Sequence, residues 1–316
     1  MYENLLYISE PYLQYAIRLN LLGESKADLT SLRNLALQDE KIRSYLNDIT
    51  AFHSKTVSNH KNPELPVHKL LFLLEIGFDT GIPEIESAIT QIIARRDENG
   101  VYQSLTNIPE HFGGTGKDSF GWCLCDAPLL LTALLKAGMD YGLYIKPGAD
   151  YLVSLTQPQG FPCSVSREMG KFRGPGRKDD PCPYATLIML DLLSDIDEYK
   201  HSEIAKNAAE SILTLWDNSL ERHPYMFYMG NDFRKLKAPA MWYDIVSVTG
   251  CLAKFDFAKT DKRFHEMAQL IRAKQDENGL FTPESVYTKC KGWDFGQKKT
   301  VSPYLSYLCI KMLNRI

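Results

Sequence analysis

Long apolar segments recur along the chain at nearly equal intervals. They begin near Val67, Asp126, Pro183, Tyr243 and Pro303, so that consecutive starts are 59, 57, 60 and 60 residues apart. Each segment is apolar on nearly every side, which is typical of a helix that other parts of the protein surround. The fixed period predicts a repeat architecture with one buried helix in each repeat.

Amphipathic segments alternate with these apolar runs. In the segment that starts at Pro83, apolar residues recur at intervals of three and four, as expected for a helix with one buried face. These positions are Ile85, Ala88, Ile89, Ile92 and Ile93. Pro83 suits a first helical turn, and Gly100 follows the last periodic residue as a stop signal. Each repeat is therefore predicted to hold an apolar helix followed by an amphipathic one.

The alternation of two helix types predicts two concentric layers, with the apolar helices inside and the amphipathic helices outside. Closing the layers into a ring removes the exposed ends that an open array of repeats has to cap. We therefore predict an all-α fold, an α/α toroid of about six helical hairpins, formed by one domain over residues 1–316. Residues 61–316 supply the hairpin repeats, and helices within residues 1–60 close the barrel.

Composition narrows the possible partners. The chain has 316 residues, a formal net charge of -3 and a pI of about 6.2, which argues against nucleic acid as a partner. The N-terminus has charged residues where a signal peptide would be apolar, and no apolar run is long enough for a transmembrane segment. We therefore expect a cytoplasmic protein. Because the net charge is negative, any site that binds an anion must be a local cluster of basic residues rather than a general property of the surface.

Two repeat ends carry a family resemblance. The segments "ARRDENGVYQS" and "AKQDENGLFTPES" resemble the Gln-x-Asp-Gly-x-Trp turns of squalene and terpene cyclases and of protein prenyltransferase β subunits. The C-terminal stretch from "GNDFRKLKAPAMWYDIV" to "KGWDFGQKKTVSPYL" resembles bacterial and archaeal prenyltransferase-like toroid proteins over most of the chain. The resemblance implies an α/α toroid with a central pocket, and it does not imply a particular reaction.

The prenyltransferase resemblance also implies a possible zinc site. In that family an Asp-x-Cys-Tyr motif at the start of an inner helix supplies two zinc ligands, and Asp180, Cys182 and Tyr184 resemble it here. The family's third ligand is a histidine, and the matching segment "TVSPYLSY" has none. The resemblance therefore implies at most Asp180 and Cys182 as ligands of a zinc ion whose affinity would be reduced.

Basic and aromatic residues concentrate in the segments before the apolar helices, which the toroid places at one rim. The candidate ligand-binding residues there are Lys171, Arg173, Arg177, Arg234, Lys237, Trp122, Trp242 and Trp293. A positive field at the mouth of a low-dielectric cavity suits a phosphate or carboxylate, and aromatic faces suit an apolar or cationic chain. The alternative is a solvated rim with aromatic residues packed in the core.

Four residues near that rim are candidates for catalysis: Asp126, Asp244, Tyr243 and Cys182. Asp126 and Asp244 each stand directly before an apolar run. They are either N-caps or carboxyl groups whose pKa an apolar cavity raises, which would suit a proton donor.

We therefore predict a prenyltransferase-like or terpene cyclase-like protein that binds or converts an isoprenoid diphosphate or a similar amphipathic anionic small molecule. Two alternatives remain open. One is a carbohydrate-active lyase or hydrolase, which needs paired carboxylates and stacking tryptophans. The other is a non-catalytic scaffold that binds a ligand or a peptide. The sequence leaves the substrate, the reaction and the oligomeric state undetermined.

Overall fold

The structure is a computed structural model that describes residues 2–172, 180–224 and 226–316. Within these residues the chain forms fifteen α-helices and one two-stranded sheet. The helices are α1 (Tyr2–Ile8), α2 (Pro11–Asn20), α3 (Thr30–Ala36), α4 (Glu40–Ile49), α5 (Pro66–Glu75), α6 (Pro83–Ile93), α7 (Ala127–Lys136), α8 (Lys146–Ser154), α9 (Pro183–Ser194), α10 (Asp197–Lys200), α11 (Glu203–Asn218), α12 (Ile245–Leu252), α13 (Asp256–Lys259), α14 (Lys262–Arg272) and α15 (Pro303–Leu313). The all-α prediction is confirmed.

Five helices form an inner ring: α5, α7, α9, α12 and α15. Each packs on the next in chain order, and all five line one central cavity. The ring closes where α15 meets α5, because the rings of Tyr304 and Phe72 lie 4.8 Å apart and Lys311 is 2.6 Å from Glu75. These helices are the five apolar runs of the sequence, and their observed starts lie within two residues of the predicted ones.

The remaining long helices lie around this ring. Helix α9 buries nearly every residue, whereas α11 packs against it with a single apolar face that includes Ala205, Ala208 and Ile212. Helix α4 packs on α5, and α2 packs on α15, so the N-terminal helices join the outer layer at the point where the ring closes. An α/α toroid therefore follows from the alternation of fully buried and one-faced helices.

The two "DENG" segments form the same turn at the end of an outer helix. Asp97 Oδ1 accepts hydrogen bonds from the backbone of Asn99 and Val101, and Asp276 Oδ1 accepts the equivalent bonds from residues 278 and 280. Gly100 and Gly279 close the two turns at φ of 84° and 77°, a left-handed conformation that favours glycine. The resemblance motif is therefore a structural turn in this chain, and its carboxylates are occupied by the backbone.

The short sheet lies in the long connection between α6 and α7. Strands β1 (Ser104–Thr106) and β2 (Ser119–Gly121) pair antiparallel, with Leu105 opposite Phe120. The sequence showed no strand pattern of useful length, and three-residue strands are too short to produce one.

Candidate functional site

The inner helices enclose a central cavity of about 270 Å³. Its walls carry four aromatic rings, one from each of three inner helices and one from the loop before α12: Phe72, Tyr184, Tyr304 and Trp242. Aliphatic side chains fill the rest of the wall, among them Leu71, Leu129, Leu187, Ile188, Val246, Leu308 and Met312. The middle of the cavity is therefore an apolar, aromatic-lined space, while its two ends are polar.

A glycine in the middle of α12 widens this space. Gly250 borders the cavity, and a Cβ atom added there would meet nothing within 4 Å. Glycine inside a helix is less stable than alanine by up to about 1 kcal/mol. Since no close packing requires Gly250, its presence at the wall keeps volume free at the expense of helix stability.

The end of the cavity at the C-termini of the inner helices carries a charged ring. It consists of Glu75, Lys136, Asp191, Asp195, Lys254, Lys311 and Arg315, which lie in the last turns of the inner helices or within two residues after their ends. Acids and bases alternate around it, since Glu75 contacts Lys311 at 2.6 Å and Lys136 at 3.5 Å. On the opposite side Lys254 contacts Asp191 at 2.8 Å and Asp195 at 3.6 Å.

The pairing in the charged ring keeps its charges ionised. Burial alone would raise the pKa of Glu75, but the ammonium groups of Lys311 and Lys136 lower it to about 2. Burial would likewise lower the pKa of Lys254, yet Asp191 and Asp195 raise it. These groups are therefore fixed charges at neutral pH rather than proton donors or acceptors.

At the opposite end, near the N-termini of the inner helices, two lysines have no such partner. Lys61 lies over the ring of Trp242 at 4.6 Å, and Lys237 lies over the ring of Tyr287 at 3.5 Å. We call Lys61 and Lys237 the lysine pair. Among the residues that the structure describes, neither ammonium is within ion-pair distance of a carboxylate. Burial lowers the pKa of both lysines. For Lys237 the charge of Asp244 opposes this effect, and that of Lys61 adds to it.

Asp126 and Asp244 are buried at the N-termini of α7 and α12. Asp244 Oδ1 accepts the backbone N–H of Ser247 at 2.9 Å as an N-cap, and Asp126 Oδ1 accepts that of Cys123 at 2.9 Å. Burial raises the pKa of Asp126 to about 7 and that of Asp244 to about 6. Neither carboxyl borders the central cavity, although Ser247 does. The two predicted acids thus have the pKa of proton donors but stand behind the wall.

Tyr243 and Cys182 also lie behind the wall. The ring of Tyr243 packs against Phe227 at 5.2 Å and Phe233 at 5.5 Å, and burial raises its pKa well above the usual value. The Cys182 thiol accepts the backbone N–H of Ala185 at 3.5 Å as the N-cap of α9. It also makes a hydrogen bond to Cys125.

The predicted zinc ligands were tested against the donors around them. Across residues 2–172, 180–224 and 226–316, no three His, Cys, Asp or Glu side chains are grouped so that they could hold a metal ion. The described residues thus offer no grouped third donor for a zinc ion, and Asp180 and Cys182 as its ligands stay a prediction.

The predicted basic and aromatic ligand residues are dispersed. Arg173 and Arg177 lie outside the described residues. Lys171 and Arg234 have exposed side chains away from the cavity, and the guanidinium of Arg234 lies over Trp216 at 4.6 Å. Lys237 belongs to the lysine pair.

The three tryptophans occupy three separate environments. Trp242 borders the cavity. Trp122 Nε1 donates to Asp97 at 3.0 Å beside a different pocket. Trp293 packs within an aromatic cluster that includes Tyr12 and Tyr45. Stacking along one cleft, which a carbohydrate site would need, is therefore not seen for these side chains.

The charged ring was not predicted, although the spacing of charged residues along the chain indicates it. Glu75, Lys136, Asp195, Lys254 and Arg315 stand at the ends of the apolar runs at intervals of 61, 59, 59 and 61 residues. Charged residues that share the period of the buried helices share one level of the barrel. His68 and Lys61, in contrast, gave no periodic signal. His68 comes from α5 alone, and Lys61 comes from the loop before it.

Comparisons with known proteins add little to this geometry. No family model matches the chain, and no curated protein matches its sequence. A protein from Actinoplanes is 10% identical, with a TM-score of 0.42 over 97% of this chain and 90% of the other. A type II terpene cyclase from Scytonema, in complex with geranylgeranyl dihydroxybenzoate, is 10% identical, with a TM-score of 0.39 over 96% of this chain and 85% of the other. These similarities are too low to indicate what this chain binds.

One further property concerns membranes. Within the described part of the chain no helix combines the length and the apolar character needed to cross a bilayer.

Proposed function

We propose that the protein binds an isoprenoid diphosphate or a similar amphipathic anion, with the prenyl chain in the central cavity and the anionic group at the lysine pair. The observation that carries the proposal is an apolar cavity with two ammonium groups next to its wall. Aromatic and aliphatic side chains line the cavity, and Lys61 lies over the ring of Trp242, which is part of that wall. Lys237 lies over Tyr287; neither lysine borders the cavity itself, and neither makes an ion pair with a described carboxylate.

An anion at the lysine pair would be favourable for a physical reason. Two half-buried ammonium groups repel each other, and burial disfavours their charged form, as their lowered pKa values indicate. A diphosphate between Lys61 and Lys237 would remove that repulsion and make charge-assisted hydrogen bonds. The aromatic face of Trp242, which Lys61 covers, is also part of the cavity wall, so head group and chain would be continuous.

The size of the cavity limits the chain length. Small-molecule sites usually measure roughly 300–1,000 Å³, and this cavity of about 270 Å³ lies at the lower limit. The charged ring closes the far end to an apolar tail, because an alkyl group there would desolvate paired charges. We therefore expect geranyl diphosphate to bind more tightly than farnesyl diphosphate.

Isothermal titration calorimetry with geranyl and farnesyl diphosphate tests the proposal. Gly250→Phe places a ring in the open space of the cavity and is expected to weaken geranyl diphosphate binding at least tenfold. Gly142→Phe is the matched control, because Gly142 is exposed on the outer surface. The affinity of this variant for geranyl diphosphate should equal that of the wild type. Absence of binding by either diphosphate at sub-millimolar concentration would refute the proposed function.

A further inference from the structure

His68 contributes an unusual polar group to the apolar cavity. It lies in the first turn of α5, borders the cavity at the N-terminal end and is only 7% exposed. Its neighbours along the wall are Leu71 and Phe72. The imidazole therefore stands where the chain of a ligand would meet its head group.

The hydrogen bond of His68 determines its tautomer. Nε2 lies 2.8 Å from the backbone carbonyl oxygen of His60. A carbonyl oxygen only accepts hydrogen bonds, so Nε2 must carry the proton. Burial lowers the pKa of His68 to about 4 against the opposing effect of that hydrogen bond, so the ring is neutral at physiological pH. Nδ1 of the neutral ring consequently holds a lone pair.

Within the described part of the chain, no side chain or backbone group donates a hydrogen bond to Nδ1. The His60 carbonyl, which contacts Nε2, is the hydrogen-bond partner of the ring there. The carboxylates of the same cavity are differently placed. Glu75 and Asp191 are paired with lysines at the far end, and those lysines offset the effect of burial and lower the carboxyl pKa values. His68 is therefore a basic nitrogen in the wall that is not committed to another charge.

The surroundings of His68 suit a positive charge on the ligand. The rings of Phe72, Tyr184 and Tyr304 also border the cavity, and aromatic rings attract a cation through their quadrupoles. A neutral base beside such a cation accepts a proton without first repelling the charge, which a protonated imidazole would do.

We propose that His68 is a catalytic base of this cavity, which removes a proton from the carbocation of a bound prenyl group; this inference rests on the proposed function. The bond from carbon to the diphosphate oxygen breaks, and its electron pair leaves with the diphosphate. The C–H bond next to the cationic carbon then breaks, its electron pair forms a C=C bond, and the proton moves to Nδ1. The imidazolium returns that proton to water when the hydrocarbon and the diphosphate leave.

Two ammonium probes test this role without requiring turnover. Geranyldimethylammonium and geranyltrimethylammonium carry the same charge and the same chain, but only the first has an N–H donor. Inorganic diphosphate is added in both titrations to neutralise the lysine pair. If Nδ1 accepts a proton from a bound cation, the dimethyl probe should bind roughly tenfold more tightly than the trimethyl probe, since hydrogen bonds to charged groups contribute about 1.5–3 kcal/mol.

Two variants assign the difference to His68. His68→Phe keeps an aromatic ring and removes the acceptor, so the two probes should bind equally. His68→Gln retains a donor for the His60 carbonyl and an acceptor oxygen, so it should preserve part of the preference. Circular dichroism and thermal melting verify that each variant is folded, and the glutamine variant decides the matter if the phenylalanine variant does not fold.

The outcomes separate this inference from the proposed function. Equal affinity of the wild type for both probes, with geranyl diphosphate still bound, overturns the role of His68 and leaves the proposed function standing. A preference that persists in a folded His68→Phe variant also overturns it. Failure of geranyl diphosphate and of both ammonium probes to bind overturns the inference and the proposed function together.

Discussion

The two ends of the central cavity both carry lysines, yet the lysines differ in what surrounds them. In the charged ring at the C-terminal end, Lys254 and Lys311 each lie within 3 Å of a carboxylate. Near the N-terminal end, Lys61 and Lys237 lie over aromatic rings and make no ion pair with a carboxylate in the described part of the chain, although the charge of Asp244 raises the pKa of Lys237. Paired charges stabilise the fold around them, whereas unpaired charges raise its free energy and lower that of a complex with an anion.

The largest expected effect comes from a buried acid that lacks a cation. The pKa of Asp126 is raised from 3.8 to about 7, so the folded protein binds a proton that the unfolded chain has released. Wild-type stability should therefore fall as pH rises from about 4 to about 7, by roughly 4 kcal/mol at 1.36 kcal/mol per pKa unit. Asp126→Asn has no carboxyl group to ionise and should not lose this stability. The free energy of unfolding in urea, variant minus wild type, should therefore increase between pH 4 and pH 8. A difference that does not change with pH would contradict the prediction.

Breaking an ion pair in the charged ring should lower the free energy of unfolding at neutral pH, which is the opposite of the effect expected for Asp126→Asn. Glu75→Gln leaves Lys311 and Lys136 facing each other and should destabilise the protein by about 2 kcal/mol at pH 7, since the site is partly exposed. The pKa of Glu75 is lowered from 4.5 to about 2, so its contribution is present above pH 4.5 and is lost as pH falls toward 2. The variant and the wild type should therefore unfold with similar free energies near pH 2.

Replacing the lysine pair should change binding rather than stability. Lys61→Met and Lys237→Met should each weaken geranyl diphosphate binding about tenfold, because each removes one charge-assisted hydrogen bond. The free energy of unfolding should not decrease in Lys61→Met and should decrease only slightly in Lys237→Met, since Lys237 makes no ion pair but its charge lowers the pKa of Asp244. Lys206→Met on the exposed surface of α11 is the control and should leave the affinity unchanged. A clear loss of stability in either variant would mean that the lysine pair stabilises the fold, as the charged ring does, and would contradict the prediction.

The smallest effect is expected at Gly250, between the two ends. Gly250→Ala should stabilise the protein by up to about 1 kcal/mol through helix propensity. The added methyl group enters open space, so geranyl diphosphate should bind a few-fold more weakly. Thermal melting and calorimetry on the same preparation measure both quantities. Unchanged affinity would mean that the ligand does not reach α12.

Much of the fold was predictable because burial repeats along the chain. The starts of the inner helices were predicted within two residues, since each run is apolar on all sides and Pro183 and Pro303 stand at first helical turns. The short sheet of β1 and β2 was not predicted, because three-residue strands depend on pairing between distant segments rather than on a local pattern.

The site was predicted less completely. The lysine pair includes Lys237 but also Lys61, which comes from a loop nearly two hundred residues away. Trp122, Trp242 and Trp293 all precede inner helices, yet only Trp242 of the three borders the cavity. Position before a helix indicates the rim of the barrel, but the path of each loop decides whether a side chain points to the cavity or to the core.

The amino-acid sequence by itself determined the helical layers, because the period of its apolar residues is a local property that any folded form must bury. It also determined that a charged residue stands at the end of each inner helix or within two residues after it, with the period of the helices. Only the tertiary structure decided which charges are paired, which lysines are left without an acid and which nitrogen of His68 holds the proton. Those properties depend on distances of a few ångströms between residues far apart in the chain, and no local pattern encodes such distances.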